Sequence, residues 1–341
     1  MEKIPAAIIG LGRIASLLEE DSLREKPCTH AGAITAHPDC SLIAGCDSNE
    51  KRRRLFTEKW QVPVYADAAE MLRLHRPRIL SIATHPDSHY QYCSLAASFG
   101  VPVVICEKPL ADTIVEARKI ARLCESSQQP IRILTNHERR YSQDYIRAKA
   151  IIDGKSLGKL LSVRAVLYMG KTRRLLQVLW HDGTHLADAI MFLTGAVLKH
   201  RQQWGAKLSA KSGTVWLEGK LQSAPPPGGT PLPGGALPVP VIMEVGAGRD
   251  HLVFEIEFSC EKGRLRIGNG VFEVWESLPS PYAEQFRSLK STGEVFRGPT
   301  GYFANMIQDA VDCVKERSRK PRSSAADGLK VIEYLHSVKA W

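Results

Sequence analysis

The eight cysteines of this 341-residue sequence lack the paired spacing that marks a zinc site or a disulfide framework. No two of them form a C-x-x-C pattern, and several lie in apolar runs, such as Cys106 in "VVIC". Buried, reduced thiols of this kind are typical of a cytosolic protein. The cysteine pattern therefore argues against a zinc knuckle and against a disulfide-rich secreted scaffold, and we expect no bound metal.

Long hydrophobic runs are also missing. No apolar run reaches the length of about 18 residues that a membrane-spanning helix needs, and the sequence enters its first apolar strand without a basic and apolar leader. We therefore expect a soluble, cytoplasmic protein with no membrane partner.

Aromatic residues are scarce near the basic clusters. Aromatics make up 7% of the sequence and the formal net charge is +10, but the tight basic runs at 50–54 and 315–322 contain no interleaved aromatic side chains. A nucleic-acid surface would combine basic side chains with aromatic ones. Solvated helix faces or the steering of anions explain the positive charge, so we expect no nucleic-acid partner.

The first 130 residues alternate between strand and helix patterns. Short apolar runs at 4–10, 41–47, 79–85 and 101–109 are typical of buried parallel strands. Amphipathic segments with helical spacing follow the last two runs, and a further strand is predicted from residue 131. This alternation predicts an α/β fold with a doubly wound parallel sheet and right-handed crossovers. We assign residues 1–130 to this domain.

The pattern changes in residues 131–341, which we assign to a second α/β domain. A helix and a strand come first, and from Val241 consecutive runs alternate apolar and polar residues. Such runs predict a large, open, mostly antiparallel sheet with one solvated or interface-forming face. The Pro/Gly-rich stretch 223–238 is predicted to be a loop, and residues 302–341 return to helix.

A glycine loop follows the first predicted strand. The sequence "GLGRIA" (Gly10 to Ala15) matches the dinucleotide fingerprint G-x-G-x-x-A, and we expect it to open a helix. Gly10 would permit the tight turn, Gly12 would let the backbone approach a pyrophosphate, and Ala15 would allow close packing. Asp47 ends the second strand about 35 residues after the loop, farther than the usual distance of about 20. A carboxylate there would bind both ribose hydroxyls and repel a 2′-phosphate, which favours NAD over NADP.

The sequence "EKP" (Glu107, Lys108, Pro109) ends the fourth predicted strand. Doubly wound sheets bind ligands at this carboxyl edge. A lysine at that edge could hydrogen-bond a substrate hydroxyl and stabilise its developing negative charge.

Seven motifs, in order along nearly the whole chain, resemble those of the glucose–fructose oxidoreductase, inositol dehydrogenase and rhizopine catabolism (Gfo/Idh/MocA) family. They are "GLGRIA", "AGCDSN", "SIATHPDSH", "CEKPLA", "NHERRYS", "GTHLAD" and "SSAADGLKVIEYL". The resemblance implies a Rossmann domain, a C-terminal α/β domain with an open sheet that often forms oligomers, and NAD(P) hydride transfer at a sugar or cyclitol carbon.

The resemblance also implies roles for individual positions. It implies that the adenosine and pyrophosphate half of the cofactor contacts Gly10, Gly12, Arg13, Ile14 and Asp47. It implies that Thr84, Pro86, His89, Glu107 and Lys108 line the site of the ribose and nicotinamide. It implies that Asn136 and Arg140 face the substrate. The family's catalytic lysine and histidine correspond to Lys108 and His185.

Three interpretations compete for "HDGTH", residues 181–185. A metal pair would use His181 and His185 as in H-E-x-x-H, although Gly183 weakens the helix that must present both. A structural interpretation has Asp182 or Thr184 capping a helix that begins near His185 and ends at Gly195. In the third, His185 is the general base, because an ordinary imidazole pKa of about 6.5 suits proton transfer at neutral pH.

The resemblance supports the third interpretation, with one departure. Family members commonly place an aspartate four residues before this histidine, whereas here that position is His181 and the aspartate is Asp182. Either residue could assist His185, because positions three or four apart share a helix face.

We therefore expect an NAD-dependent oxidoreductase that acts on a secondary hydroxyl of a sugar, cyclitol or sugar derivative, and that forms a homodimer or homotetramer through its second sheet. A glycosidase that oxidises its substrate transiently and a non-catalytic NAD-binding regulator are the alternatives. A group of basic residues would favour an acidic or phosphorylated sugar, although exposed arginines are common in any protein. They are Arg139, Arg140, Lys171, Arg173 and Arg174.

Overall fold

The computed structural model describes residues 3–125, 130–223 and 238–340. The predicted loop at 223–238 lies, apart from its two end residues, outside the described residues. The chain divides into two compact units. The first unit comprises Met1–Gln143 and Pro299–Ile332, and the second comprises Asp144–Gly298 and Glu333–Trp341.

The strands are β1 (Ile4–Ile9), β2 (Cys40–Cys46), β3 (Val64–Tyr65), β4 (Ile79–Ile82), β5 (Val103–Cys106), β6 (Arg132–Thr135), β7 (Leu160–Met169), β8 (Ala196–Gly205), β9 (Gly213–Ser223), β10 (Val239–Ala247), β11 (Val253–Cys260), β12 (Gly263–Gly268), β13 (Val271–Pro279) and β14 (Arg287–Ser291). The α-helices are α1 (His30–Ala36), α2 (Glu50–Trp60), α3 (Ala68–His75), α4 (His89–Ser98), α5 (Ile114–Leu123), α6 (Gln143–Asp153), α7 (Leu175–His181), α8 (Gly183–Thr194), α9 (Tyr302–Lys315) and α10 (Ala325–Lys339).

The first unit contains a six-stranded sheet in the order β3-β2-β1-β4-β5-β6. Every neighbouring pair in it is parallel. Successive residues of β1 enter two different cores, with Ala6 and Ile8 on one face and Ala7 and Ile9 on the other. Burial on both faces explains the unbroken apolar runs of the strands, and the predicted doubly wound parallel sheet is confirmed. The two-residue strand β3 is an addition that the sequence patterns did not predict.

The helix predicted to follow the glycine loop directly is absent, which corrects the sequence-based expectation. Residues 12–16 form turns, and a short 3-10 helix follows at Leu17–Glu20. The first α-helix begins only at His30, where Thr29 caps it by accepting a hydrogen bond from the N–H of Gly32 at 3.1 Å. Residues 17–29 are thus an inserted segment between the loop and its helix.

Helix α9 packs within the first unit, although the sequence placed residues 302–341 in the second domain. Phe303, Met306 and Ile307 are buried in the same core as Ile8 of β1. The apolar face of α9 therefore completes a layer over the parallel sheet, and the division of the chain differs from the predicted boundary after residue 130.

The second unit contains an eight-stranded sheet in the order β14-β13-β12-β11-β7-β10-β9-β8. Its pairs are antiparallel except for β7 with β10, which run parallel. In β7 the buried residues alternate with more exposed ones, as in Val163, Arg164 and Ala165. This confirms the mostly antiparallel sheet with one open face that the alternation predicted.

Three strands of this sheet were not predicted, namely β8, β9 and β14. In β8 a register shift between His200 and Gln202 breaks the alternation, and in β9 the interior Gly219 interrupts it. In β14 four of the five residues are exposed, so it carries no apolar pattern.

Within the described residues, no helix combines the length and the apolar character that crossing a membrane would require.

Candidate functional site

Gly10 makes the turn at the end of β1 in a backbone conformation that only glycine adopts readily. Its φ is +86°, and a Cβ built there would lie 2.6 Å from the carbonyl oxygen of Ala83 beyond β4. Gly12 differs, because an added Cβ would meet nothing nearer than Arg52 Nη1 at 4.0 Å. Packing inside the protein therefore requires a glycine at position 10 but not at position 12.

Asp47 lies at the end of β2, and its buried carboxylate faces the glycine loop. Oδ2 accepts a hydrogen bond from the N–H of Leu11 at 2.8 Å, and Oδ1 accepts one from the N–H of Asn49 at 2.8 Å. Arg52 Nη1 lies 3.5 Å from Oδ2. A carboxylate has about four acceptor positions, so each oxygen of Asp47 keeps capacity for a further donor. The carboxylate and the loop are fixed relative to each other.

Thr84, Pro86 and His89 form a compact turn after β4. Ser88 Oγ donates to Thr84 Oγ1 at 2.8 Å, and a 3-10 turn starts at Pro86. The ring of His89 is buried, with Nδ1 3.2 Å from the carbonyl oxygen of Leu110 and Nε2 3.3 Å from that of Thr84. Burial lowers the pKa of His89 despite both carbonyls. The ring of His89 therefore lies between the turn and the segment following Lys108.

Glu107, at the end of β5, is buried among polar side chains. Oε1 accepts hydrogen bonds from His30 Nε2 at 2.8 Å and from Asn136 Nδ2 at 2.5 Å. Oε2 lies 3.3 Å from the backbone N–H of Lys108. Burial raises the pKa of Glu107, but the bond and charge of His30, the amide of Asn136 and the charge of Lys108 together lower it below its usual value. Glu107 is therefore ionised at neutral pH.

The two residues assigned to the substrate make different contacts. Asn136 is buried and donates to Glu107, while its Oδ1 has no hydrogen-bond partner among the described residues. Arg140 is also buried, with Nη1 3.0 Å from the carbonyl oxygen of Arg322 and 3.2 Å from Asp327 Oδ2. These two contacts of Arg140 lie within the first unit, and its role toward a substrate stays a prediction.

In the segment "HDGTH" a helix begins at Gly183, two residues before the predicted start near His185, and a second helix that was not predicted precedes it. Helix α7 ends at His181 and α8 begins at Gly183, so the two histidines lie on different helices. The predicted end of α8 is confirmed, because Gly195 has a φ of +66° and donates its N–H to the carbonyl oxygen of Met191.

The predicted cap residue of this helix is confirmed, but the capping hydrogen bond is absent. Asp182 occupies the N-cap position of α8, but its side chain makes no capping hydrogen bond there. It instead accepts from Arg173 Nη1 at 2.8 Å and from His181 Nδ1 at 3.1 Å. Thr184 Oγ1 donates back to the carbonyl oxygen of His181 at 3.0 Å. The side chains at the break join the two helices rather than satisfying the N–H groups of α8.

His185 lies in the first turn of α8 and is half-buried, and its backbone N–H donates to the carbonyl oxygen of Asp182 at 3.1 Å. His181 is the more exposed histidine, with 58% of its side chain accessible. A metal pair of the H-x-x-x-H type needs both histidines on one helix, and the break removes that arrangement. In the described part of the chain, no three His, Cys, Asp or Glu side chains are grouped as metal ligands.

Most of the basic residues that suggested an acidic substrate form ion pairs within the protein. Arg139 pairs with Glu138 at 3.2 Å, and Arg173 pairs with Asp182. Arg174 is the N-cap residue of α7, where its backbone N–H donates to Gln177 Oε1 at 2.9 Å, a bond that does not involve its guanidinium. These contacts give no support to an acidic or phosphorylated substrate.

Sequence reasoning missed His30. In the sequence, the segment between the loop and Asp47 stands out only by its extra length, yet it places a fully buried imidazole beside Glu107, 77 residues away. The available signal was a histidine placed directly after a capping threonine, at the start of the small apolar run "HAGAITA".

The parallel sheet, the glycine loop and the carboxylate at the end of β2 together define a dinucleotide-binding Rossmann fold. Residues 4–134 match the model of the Gfo/Idh/MocA family, described as an oxidoreductase family with an NAD-binding Rossmann fold. Over these residues the match confirms the resemblance seen in the motifs.

Two characterised relatives are similar to parts of the chain. A D-apiose dehydrogenase of Paraburkholderia graminis is 30% identical over 172 residues, which cover 46% of this chain and 44% of the relative. A D-glucoside 3-dehydrogenase of Escherichia coli is 27% identical over 202 residues, which cover 55% of this chain and 53% of the relative. The chain thus spans about half the length of the curated relatives it matches.

The likeness of fold extends over the whole chain. The structure of a myo-inositol 2-dehydrogenase from Lactobacillus plantarum superposes with a TM-score of 0.70, covering 99% of this chain and 97% of that protein. The sequence identity is 21%, so this comparison shows the fold alone.

Proposed function

We propose that the protein is an NAD-dependent oxidoreductase that acts on a secondary hydroxyl, or the matching keto carbon, of a sugar, cyclitol or sugar derivative. The observation that carries the proposal is the pairing of the glycine loop with Asp47 through the N–H of Leu11 at 2.8 Å. The relatives named as apiose and glucoside dehydrogenases support the choice of substrate class.

The glycine loop leaves space around Gly12 in which a dinucleotide would fit. Glycine at position 12 relieves no crowding within the protein, since an added Cβ would have 4.0 Å of clearance. A glycine is useful there when a ligand must approach the backbone closely, as a pyrophosphate does in this type of loop. Gly10, Gly12, Arg13 and Ile14 would hold that part of the cofactor.

NAD is the proposed form of the cofactor because Asp47 is anionic. The carboxylate would accept hydrogen bonds from ribose hydroxyls and repel a 2′-phosphate. Arg52 Nη1, 3.5 Å from Asp47, partly offsets this repulsion, but its side chain is half exposed and in reach of water. The proposed preference is therefore for NAD with measurable binding of NADP.

When bound, the nicotinamide ring accepts or returns the hydride. The work of the protein is then to bind the substrate oxygen and to move its proton. Lys108 would donate a hydrogen bond to that oxygen and stabilise the negative charge that develops on it. His185 would accept the hydroxyl proton as a general base and return it in the reverse direction. His181 or Asp182 would assist His185.

A titration of NADH fluorescence with the purified protein, followed by an absorbance assay with NAD+, tests the proposal. The assay panel contains D-apiose, a methyl D-glucoside and myo-inositol. We expect saturable NADH binding and formation of NADH with at least one compound. The proposal is wrong if NADH does not bind. Tightly copurifying NAD with substrate cleavage and no net NADH would instead indicate the transient-oxidation glycosidase.

Variants separate the catalytic roles from cofactor binding. Lys108→Met and His185→Asn are expected to lower kcat by about 10²- to 10⁴-fold, as loss of an acid–base or charge-stabilising group does. His181→Asn and Asp182→Asn identify the assisting residue by the larger loss of the two. Lys207→Met, at an exposed lysine in the segment after β8, is the control for removal of a lysine. Unchanged turnover in Lys108→Met would contradict the role of Lys108, whereas NADH binding by the wild type without turnover of any compound would point to the non-catalytic regulator.

A further inference from the structure

Three buried polar side chains from distant parts of the sequence are joined by hydrogen bonds at Glu107, the residue before Lys108. His30, Glu107 and Asn136 are 0%, 7% and 4% exposed, respectively. His30 comes from the start of α1, Glu107 from the end of β5, and Asn136 from the end of β6. We call these three residues the Glu107 clamp. Burying a carboxylate is costly unless its oxygens are hydrogen-bonded, and the clamp supplies those bonds.

The hydrogen bonds of the clamp are unevenly distributed. Oε1 of Glu107 receives both side-chain donors, at 2.8 Å from His30 and 2.5 Å from Asn136. Oε2 makes a longer contact, in which the Lys108 N–H approaches it at 3.3 Å. Because Oε1 is held from two sides, the carboxylate cannot rotate without losing a buried bond. The carboxylate therefore restrains the backbone at the position that presents Lys108.

His30 also connects the clamp to the glycine loop. Its backbone N–H donates to the carbonyl oxygen of Ile14 at 3.2 Å, and the next N–H, of Ala31, donates to that of Ala15 at 2.9 Å. These N–H groups begin α1 and would otherwise lack helical acceptors. The ring of His30 packs edge-on against Phe303 with centroids 5.3 Å apart. One residue thus contacts both the loop proposed for the pyrophosphate and the carboxylate beside Lys108.

We propose that His30 is a positioning residue, whose Nε2–H holds Glu107 and thereby fixes Lys108 relative to the Gly10–Ala15 loop. This proposal rests on the proposed function, since Lys108 is given its role there. The inserted segment 17–29 separates α1 from the loop in sequence, so the hydrogen bonds of His30 restore a spatial link that the insertion would otherwise leave open.

Two amide substitutions at position 30 test this role against a merely structural one. In His30→Gln the side-chain amide can reach the place of Nε2, whereas in His30→Asn it reaches only as far as Nδ1. We expect His30→Asn to lower kcat about 10- to 100-fold, the loss usual for a residue that orients a functional group, and to weaken NADH binding about 10-fold. His30→Gln should stay within about threefold of the wild type in both. Equal values for the two variants would overturn the proposal.

A double-mutant cycle shows whether His30 acts through Glu107. Glu107→Gln keeps the shape of the side chain and removes its charge. If His30 works through this carboxylate, His30→Asn adds little to the loss of NADH affinity already caused by Glu107→Gln. Full additivity would contradict the proposal. Melting curves for each variant confirm that folded protein is compared, and the conservative His30→Gln provides a folded reference.

The outcomes also separate the two proposals. A wild-type protein that binds no NADH would refute the proposed function. Normal NADH binding and turnover, with His30→Asn indistinguishable from the wild type, would refute only the role of His30.

Discussion

Gly10 and Gly12 are two residues apart, yet the fold constrains them for different reasons. At position 10 a side chain would collide with Ala83 and would require a strained φ of +86°. At position 12 a methyl group has room. The first glycine is thus required by folding, and the second is best explained by a ligand.

Gly10→Ala is therefore expected to lower the free energy of unfolding, by about 1–2 kcal/mol from the left-handed φ and a further 1–3 kcal/mol from crowding. Gly293→Ala is the matched control, because Gly293 has a φ of +74° but nothing within 4 Å of its added Cβ. Urea denaturation followed by circular dichroism measures both. Equal losses would show that the contact with Ala83 is unimportant.

Gly12→Ala should leave stability near that of the wild type and weaken NADH binding.

Asp47 offers a second test at the residue scale. Asp47→Asn removes the negative charge that opposes a 2′-phosphate and leaves Arg52 without its ionic neighbour. We expect the ratio of NADPH to NADH affinity to rise by about 10-fold or more, as charge-assisted bonds are worth about 1.5–3 kcal/mol. Fluorescence titration with both nucleotides measures the ratio. Glu58→Gln on α2 is the control, and an unchanged ratio would mean that Asp47 does not face the 2′ position.

At the scale of elements, the inserted segment 17–29 caps helix α9. Gly301 occupies the N-cap position of α9 and has no side chain to offer. Glu25 supplies the missing acceptor, receiving the N–H of Thr300 at 2.8 Å, its hydroxyl at 2.8 Å, and the N–H of Gly301 at 2.7 Å. Burial raises the pKa of Glu25, but these hydrogen bonds outweigh it and lower the pKa below its usual value.

Glu25→Ala is expected to cost about 1 kcal/mol of stability at pH 7, the usual effect of losing a cap. Because folding lowers the pKa of Glu25, its contribution is present above the unfolded pKa of about 4.3 and is lost as the pH falls through the folded value. The difference between variant and wild type should therefore shrink in urea titrations below about pH 4. Glu20→Ala, which removes an exposed pair with Lys59, is the control and should cost less than about 0.5 kcal/mol.

At the scale of the whole molecule, the open face of the second sheet carries exposed apolar side chains. Trp204 and Ile242 are 45% and 38% exposed, and with Trp216 they line a groove of about 530 Å³. Trp204 lies opposite Trp216 across β8 and β9. Contiguous exposed apolar surface is typical of protein interfaces. We propose that this face joins copies of the chain into a dimer or tetramer.

Light scattering coupled to size-exclusion chromatography tests this assembly. Trp204→Asp places a charge on the proposed interface and is expected to shift the protein to a smaller species, because an unpaired charge buried in an interface is costly. Val115→Asp is the control, since Val115 is 62% exposed on α5 of the first unit. A wild-type protein that runs as a monomer would contradict the proposal.

Much of the first sheet could be predicted because its signals are local. A buried parallel strand reads as a short apolar run whichever strand it pairs with, and the glycine loop and the acid at the end of β2 lie within such runs. The position of Lys108 at a sheet edge also follows from the strand that precedes it. β14 escaped prediction for the opposite reason, because exposed residues leave no periodic pattern.

The sequence by itself determined the class of fold, the glycine loop and the residues at the ends of its strands, because each depends on neighbours within a few positions. Only the tertiary structure decided that α9 joins the first unit, that His181 ends a separate helix, and that His30 reaches Glu107 across 77 positions. Such contacts depend on which surfaces pack together. No spacing along the chain encodes them, since they arise only when distant segments bury their side chains in a common core.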